Sequence, residues 1–337
     1  PADVKSKAGE AFLKMLNNKD VVVRISAVKA ISKLGIIQGA TPLLALLKTD
    51  REASVREEAI KALAIMQYDQ IGEAIKQAIA DKDKTVRIAG LNLLAKMNIP
   101  TDLMVSLLSN VINTKTTEEK QAALLTLGKL PVKNTMPVFD VLLKQMAVGK
   151  LPADIQLELA EAVETSQTPE LTEKYKRITA GLSPDTTTAA YAVSLFGGDA
   201  ERGRSIFYRS ESAQCLRCHS YDDMGGNAGP RLNGVATRLT RQLILESLIN
   251  PSARLAPGFG FVTIELKNGK TVSGILEDEN TASLSIKSGN EPKQAFPKDQ
   301  VVKRTNAASS MPVMKNILSR KEIRDVVSFL STLKEDK

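Results

Sequence analysis

Three stretches of this 337-residue chain recur at nearly equal intervals: "DVVVRISAVKAISKLG", "EASVREEAIKALAIMQ" and "DKTVRIAGLNLLAKMN" superpose with Arg24, Arg56 and Arg87 in register, 32 and 31 residues apart. This period constrains the fold more than any other feature. A unit of this length cannot bury its own apolar face and must be covered by the next copy. Small or apolar residues recur at helical spacing within the copies: Val23, Ala27, Ala30 and Leu34 in the first, Val55, Ala59, Ala62 and Met66 in the second. Two looser copies follow, "TEEKQAALLTLGKL" and "ADIQLELAEAVETS". Each copy reads as the inner helix of a helical hairpin. The expectation is an α-solenoid over residues 1 to about 182 rather than an irregular bundle.

The Asp/Val-x-x-Arg-x-x-Ala-x-x-Ala pattern of these copies resembles HEAT-like repeats of the short variety. That resemblance implies a protein-binding scaffold, and in a few cases a DNA-binding one. Composition speaks against nucleic acid: aromatic residues are 4% and tryptophan is absent. Residues 1 to 196 carry 25 basic and 22 acidic side chains, and the remainder 21 and 16, so the net +8 is not gathered into one basic region. No apolar run approaches the length needed to span a bilayer. A start at "PADVKSKAGE" without methionine reads as a processed chain or an excised fragment.

A chain of this length is expected to divide into two domains. The segment "AGLSPDTTTAAYAV", residues 180 to 193, breaks the helical pattern with Gly181, Pro184 and a threonine run. The expected division is a repeat domain over 1–182, a linker over 183–196 and a second domain over 197–337. The second domain opens with a helix that places Gly203 and Phe207 four apart on one face. It closes with the amphipathic helix "SRKEIRDVVSFLSTLK", whose stripe is Ile323, Val326, Val327, Leu330 and Leu333 and whose start offers a capping box, Ser319 with Glu322. Gly203 and Phe207 are expected to pack on that helix around Val326 and Phe329. Between them, Val262, Ile264 and Leu266 alternate before Asn268-Gly269, which predicts a hairpin and further short strands: an antiparallel β insert over about 259–304.

The second domain also holds both cysteines and the lone histidine, within "AQCLRCHSYDDMGGNAGP". Cys215-x-x-Cys218-His219 is the attachment sequence for c-type haem, in which two thiols one helical turn apart meet the porphyrin vinyl groups and the next imidazole reaches the iron. A structural zinc site needs four ligands, one more than the cysteines and histidine supply. A thioredoxin-like pair wants a βαβ setting and leaves the histidine unexplained. A disulfide across two intervening residues would close almost no loop.

The other axial ligand cannot be histidine. Met311, ahead of Pro312 in "SSMPVM", is the first choice, with Met314 and Met224 as rivals and an open or lysine-ligated position as the remaining alternative; Met224 is only five residues from His219. A His/Met pair raises the reduction potential and fills both iron positions. The carbonyl of Pro230 could accept the proton on the imidazole nitrogen that faces away from the iron, with a plain Gly-Pro turn as the alternative. Arg231 and Arg238 are candidates to hold a haem propionate, against the alternative of solvated surface arginines.

The order "GDAERGRSIF", "CLRCH", "GGNAGPRLNGVATR", "LILESLINPSARLAPGF", a β insert, "SSMP" and an amphipathic closing helix resembles the haem-binding cytochrome c domain of Planctomycetes-type membrane-bound or secreted dehydrogenases. The resemblance covers residues 197 to 337. It implies His219 and Met311 as iron ligands, preceding HEAT-like repeats, and a β-propeller sugar-dehydrogenase domain upstream that has no counterpart in this sequence. The expected fold is thus mainly α: a HEAT-like α-solenoid followed by a class I-like monohaem cytochrome c domain with a small antiparallel β insert. The expected function is electron transfer through one covalent haem c, relaying electrons from a fused or partner dehydrogenase, as a carrier module rather than an enzyme. The alternative is an interaction scaffold with a redox-sensing or ligand-binding haem. Covalent haem attachment occurs outside the cytoplasm, so the expected location is periplasmic or otherwise exported.

Overall fold

The repeats are helical hairpins stacked in two rows. The computed structural model describes residues 2–94, 100–180 and 190–335. The chain divides into two units, residues 1–178 and 179–337; Gly181, Pro184 and the threonine run lie outside the described residues. In the first unit, one row comprises α1 (Ala2–Met15), α3 (Ala40–Thr49), α5 (Ile71–Ile79), α7 (Thr101–Thr114) and α9 (Val132–Ala147). The other comprises α2 (Val21–Leu34), α4 (Ala53–Ile65), α6 (Lys84–Leu94), α8 (Thr117–Leu127) and α10 (Gln156–Ser166), and α11 (Pro169–Ala180) follows. Successive members of the second row pack on each other, α2 on α4, α4 on α6, α6 on α8 and α8 on α10.

A helix touched by both neighbours and by its own hairpin partner must be apolar over most of its circumference. In α4 the buried residues besides Arg56 are therefore Val55, Ala59, Ile60, Ala62 and Leu63, wider than the single stripe expected. In α2 they are Ala27, Val28 and Ile31, whereas Leu34, expected on the stripe, is 39% exposed. Leu34 is the last residue of the helix, which Gly35 at φ 63 ends in a left-handed cap whose N–H returns to Ile31 and Ser32.

The three arginines in register form a ladder. Nε and Nη2 of Arg24 donate to Asp50 at 2.9 and 3.0 Å; those of Arg56 donate to Asp81, both at 2.8 Å; those of Arg87 donate to Glu119 at 2.7 and 3.1 Å. Each Nη1 also donates to two carbonyls of the loop before its own helix, Asn18 and Lys19, Asp50 and Arg51, Asp81 and Lys82. One planar fork thus closes its own hairpin turn and binds the next repeat. In α8, Gln121, one residue past the position equivalent to the arginines, donates to the carbonyl of Asp154 at 2.7 Å.

In the second unit, α12 (Ala200–Arg209) packs on α16 (Arg320–Leu330). Asp199 caps α12 by accepting from the amides of Glu201 and Arg202, and Ser319 with Glu322 forms the capping box of α16. The helices cross at Gly203, where a Cβ would lie 1.9 Å from the carbonyl oxygen of Asp325, so no side chain fits. One turn on, the rings of Phe207 and Phe329 stand 5.5 Å apart. Two short helices, α13 (Cys215–Cys218) and α14 (Val235–Arg238), and the longer α15 (Arg241–Ile249) complete the helical part. Its core gathers Phe207, Val235, Leu245, Leu248, Met314, Ile323, Val326, Val327 and Leu330. Residues 190–196, expected within the linker, are tied into this body: Ser194 is buried, and Arg241 donates to the carbonyl of Leu195 and, at 2.7 Å, to Ser328 Oγ.

The β insert is a five-stranded antiparallel sheet, β3 (Phe261–Leu266), β4 (Thr271–Glu279), β5 (Ser283–Lys287), β6 (Gln294–Pro297) and β7 (Val301–Asn306), in the order β6-β5-β4-β3-β7. Asn268-Gly269 turns β3 into β4, with Gly269 at φ 80. Val262, Ile264, Leu276, Leu284 and Ile286 point to one side and form a core of their own with Leu255 and Phe296. The return of β7 to the far side of β3 is fastened by Glu279, which receives Arg304 at 2.9 Å and Lys298 at 2.8 Å.

Candidate functional site

Cys215, Cys218 and His219 share one turn of backbone. Gln214 enters it at φ 45, α13 carries the two cysteines, and the amide of His219 closes the turn by donating to the carbonyl of Cys215 at 2.9 Å. The chain then reverses through the two-residue turn Asp222-Asp223, both at positive φ, between β1 (Ser220–Tyr221) and β2 (Met224–Gly225). A strap, residues 225–233, runs back along the cysteine turn. The amides of Gly226, Gly229 and Leu232 donate to the carbonyls of Leu216, Cys218 and Ser220 at 2.8, 2.8 and 2.9 Å. Gly229 lies flat against the imidazole: a Cβ there would come within 2.8 Å of His219 Cε1. Close contact of strap and ring explains why this loop is written with glycine.

Nδ1 of His219 stands 2.8 Å from the carbonyl oxygen of Pro230. A carbonyl can only accept, so Nδ1 carries a proton, and in the neutral ring the lone pair is then on Nε2. The cysteines are both free thiols. Cys215 packs on the hydrophobic core, and burial pushes its thiol up to about 11, away from the lowered values of redox-active dithiols.

The three methionines occupy different surroundings. Met314 is 3% exposed in the core. Met224 is 50% exposed on β2 and borders an open hollow of about 510 Å³ lined also by Glu201, Arg204, Tyr208 and Arg209. Met311 is partly buried against the same core that Cys215 touches, and its loop is pinned: Met311 N donates to Ser309 Oγ at 3.1 Å, and Ser309 N to Ser252 Oγ at 3.0 Å. The two arginines hold the strap. Arg238 donates to the carbonyls of Asn233 and Arg231 at 2.7 and 2.8 Å, and Nε of Arg231 donates to Asn233 Oδ1 at 3.1 Å.

Sequence reasoning missed Asn233, which is 1% exposed between the strap and the Asp222-Asp223 turn. It also missed the carboxylates of the arginine ladder; the only hint was an acidic residue near each following helix.

Residues 3–64 and 40–128 match the family model of HEAT repeats. The match spans α1 to α8, where the arginine ladder lies. HEAT-like repeats thus occupy the N-terminal part of a mainly helical chain that also carries a small antiparallel sheet. No curated protein matches the sequence.

Proposed function

We propose that the second unit is an electron-transfer module holding one haem c, and that the HEAT repeats are its protein-interaction scaffold. The observation that carries this reading is the Nδ1 contact to Pro230 beside two free, adjacent thiols: the one histidine is held in the tautomer that leaves Nε2 for iron. Among the described residues no three His, Cys, Asp or Glu side chains gather as around a bare ion. A porphyrin brings four nitrogens of its own, so the protein need add only axial ligands.

Cys215 and Cys218 would hold the haem through two thioethers, and His219 and Met311 would bind its iron. Haem c, when bound, supplies a one-electron couple. Gly229 lets the strap lie against the imidazole, and Pro230 sets its proton and orientation. Cys215 and Met311 pack against the same hydrophobic core, which would shield that part of the haem from water. Arg231 and Arg238 would hold a propionate only with donors not committed to Asn233 and the strap carbonyls.

With His219 and Met311 both bound to the iron no position would be left for a substrate, and the module would act as a carrier rather than an enzyme in its own right. Its partner is a redox protein or a fused dehydrogenase domain, not nucleic acid. Among the described residues no helix is long and apolar enough to cross a membrane; covalent haem attachment, made outside the cytoplasm, would make this a periplasmic or otherwise exported protein. The class I-like cytochrome c fold and the resemblance to Planctomycetes-type haem domains belong to this proposal. A second reading, favoured by the HEAT repeats, makes the scaffold the working part and the haem a redox sensor or ligand site.

Expression in a host competent for haem attachment tests the proposal. Denatured protein is expected to gain the mass of one haem, and the reduced spectrum to be unchanged by carbon monoxide. A chain of bare polypeptide mass overturns the haem reading, and a carbon monoxide shift favours the sensor.

A further inference from the structure

The strap that carries Pro230 ends on a buried amide with partners on both sides. Oδ1 of Asn233 accepts from the amide of Asp222 at 3.2 Å and from Nε of Arg231 at 3.1 Å, and Nδ2 donates to Asp222 Oδ1 at 3.2 Å. Asp222 lies three residues after His219, and Pro230 three residues before Asn233. Asn233 therefore joins the two segments whose separation sets the 2.8 Å contact between His219 and Pro230. The turn it grips is made of two residues in left-handed backbone, Asp222 at φ 49 and Asp223 at φ 61, which need outside support.

We propose that Asn233 is a positioning residue for His219: by clamping the turn after the histidine to the strap, it holds the Pro230 carbonyl on Nδ1 and so sets how strongly the imidazole donates to iron. This rests on the haem reading above. A hydrogen bond from Nδ1 makes the ring a stronger donor, which favours the oxidised metal and lowers the reduction potential. Loosening the clamp raises the potential. General loosening that lets water into the pocket moves it the other way, because water stabilises the more charged oxidised state. The sign separates positioning from mere structure.

The test uses the full chain with Asn233→Leu, and with Asn233→Asp combined with Asp222→Asn. The double exchange keeps one carboxylate facing one amide and puts asparagine at a left-handed position it tolerates. Two quantities are read: the midpoint potential of the haem-loaded protein and the hydrogen-exchange protection of the Asp222 amide in the haem-free chain. Asn233→Leu is expected to raise the potential and reduce protection by about tenfold or more, and the double exchange to restore both. An unchanged or lowered potential in Asn233→Leu overturns the inference, as does a double exchange that restores neither quantity. Should Asn233→Leu fail to fold, Asn233→Asp alone sets carboxylate against carboxylate; equal protection in it and in the double exchange overturns the clamp. Wild-type chain without covalent haem removes the function and this inference together, whereas haem-loaded wild type with an insensitive potential removes only the inference.

Discussion

Replacing Arg56 with leucine removes the central rung of the ladder. Its side chain is 3% exposed and that of Asp81 6%, so the carboxylate left behind cannot be rehydrated without opening the stack. Breaking one side of a buried pair costs about 3–5 kcal/mol. A ceiling follows from titration: Asp81 can instead take up a proton, and moving an ordinary carboxyl from about pH 4 to pH 7 costs about 1.4 kcal/mol per pH unit, or roughly 4 kcal/mol. The expected loss at neutral pH is therefore about 3–4 kcal/mol, in urea unfolding followed by far-ultraviolet circular dichroism. Arg56→Leu with Asp81→Leu, which leaves no orphaned charge, is expected to lose much less, about 0–2 kcal/mol. In the wild type, burial pushes the Asp81 carboxyl upward, but the hydrogen bond and charge of Arg56, helped by the Asp83 amide, outweigh it and hold the carboxyl below its usual value. A depressed carboxylate contributes stability above its unfolded value, near pH 4, and loses it as pH falls through the native value. The penalty of Arg56→Leu should accordingly shrink in acid. A loss under about 1 kcal/mol at neutral pH, or a double variant as unstable as the two single losses added, refutes the ladder as a coupled pair.

Gly203→Ala forces a methyl onto the Asp325 carbonyl, and the helices α12 and α16 must part; a loss of about 2–3 kcal/mol in thermal melts is expected, and an unchanged midpoint contradicts the crossing. Met311→Ala is expected to remove the weak sulfur-to-iron charge-transfer band of the haem-loaded protein and lower its potential, while an intact band points to another ligand. In the haem-free chain, Cys215, with its thiol near 11, should alkylate roughly tenfold more slowly at pH 8 than an ordinary thiol, after allowing for the greater nucleophilicity of its thiolate, and quicken as pH rises toward that value. A rate already level by pH 9 argues that the thiol is not buried.

Helical periodicity, the arginine register and the alternation before Asn268-Gly269 were legible because each is a relation between residues a few positions apart, repeated. The same holds for Cys215, Cys218 and His219, whose chemistry depends on spacing along one turn. Sequence by itself thus determined which elements form, which faces are apolar and where soft ligand atoms collect. Tertiary structure alone decided what those elements meet. Asp50, Asp81 and Glu119 became partners of arginines 26, 25 and 32 residues away only once the hairpins stacked. Likewise β7 chose β3 although alternation names a face and never a neighbour, and Asn233 acquired its partners when the strap folded back on the turn after His219. Apolar pattern is read locally because burial is non-directional, but hydrogen bonds and ion pairs need two groups at a set distance and angle, which only the folded chain supplies.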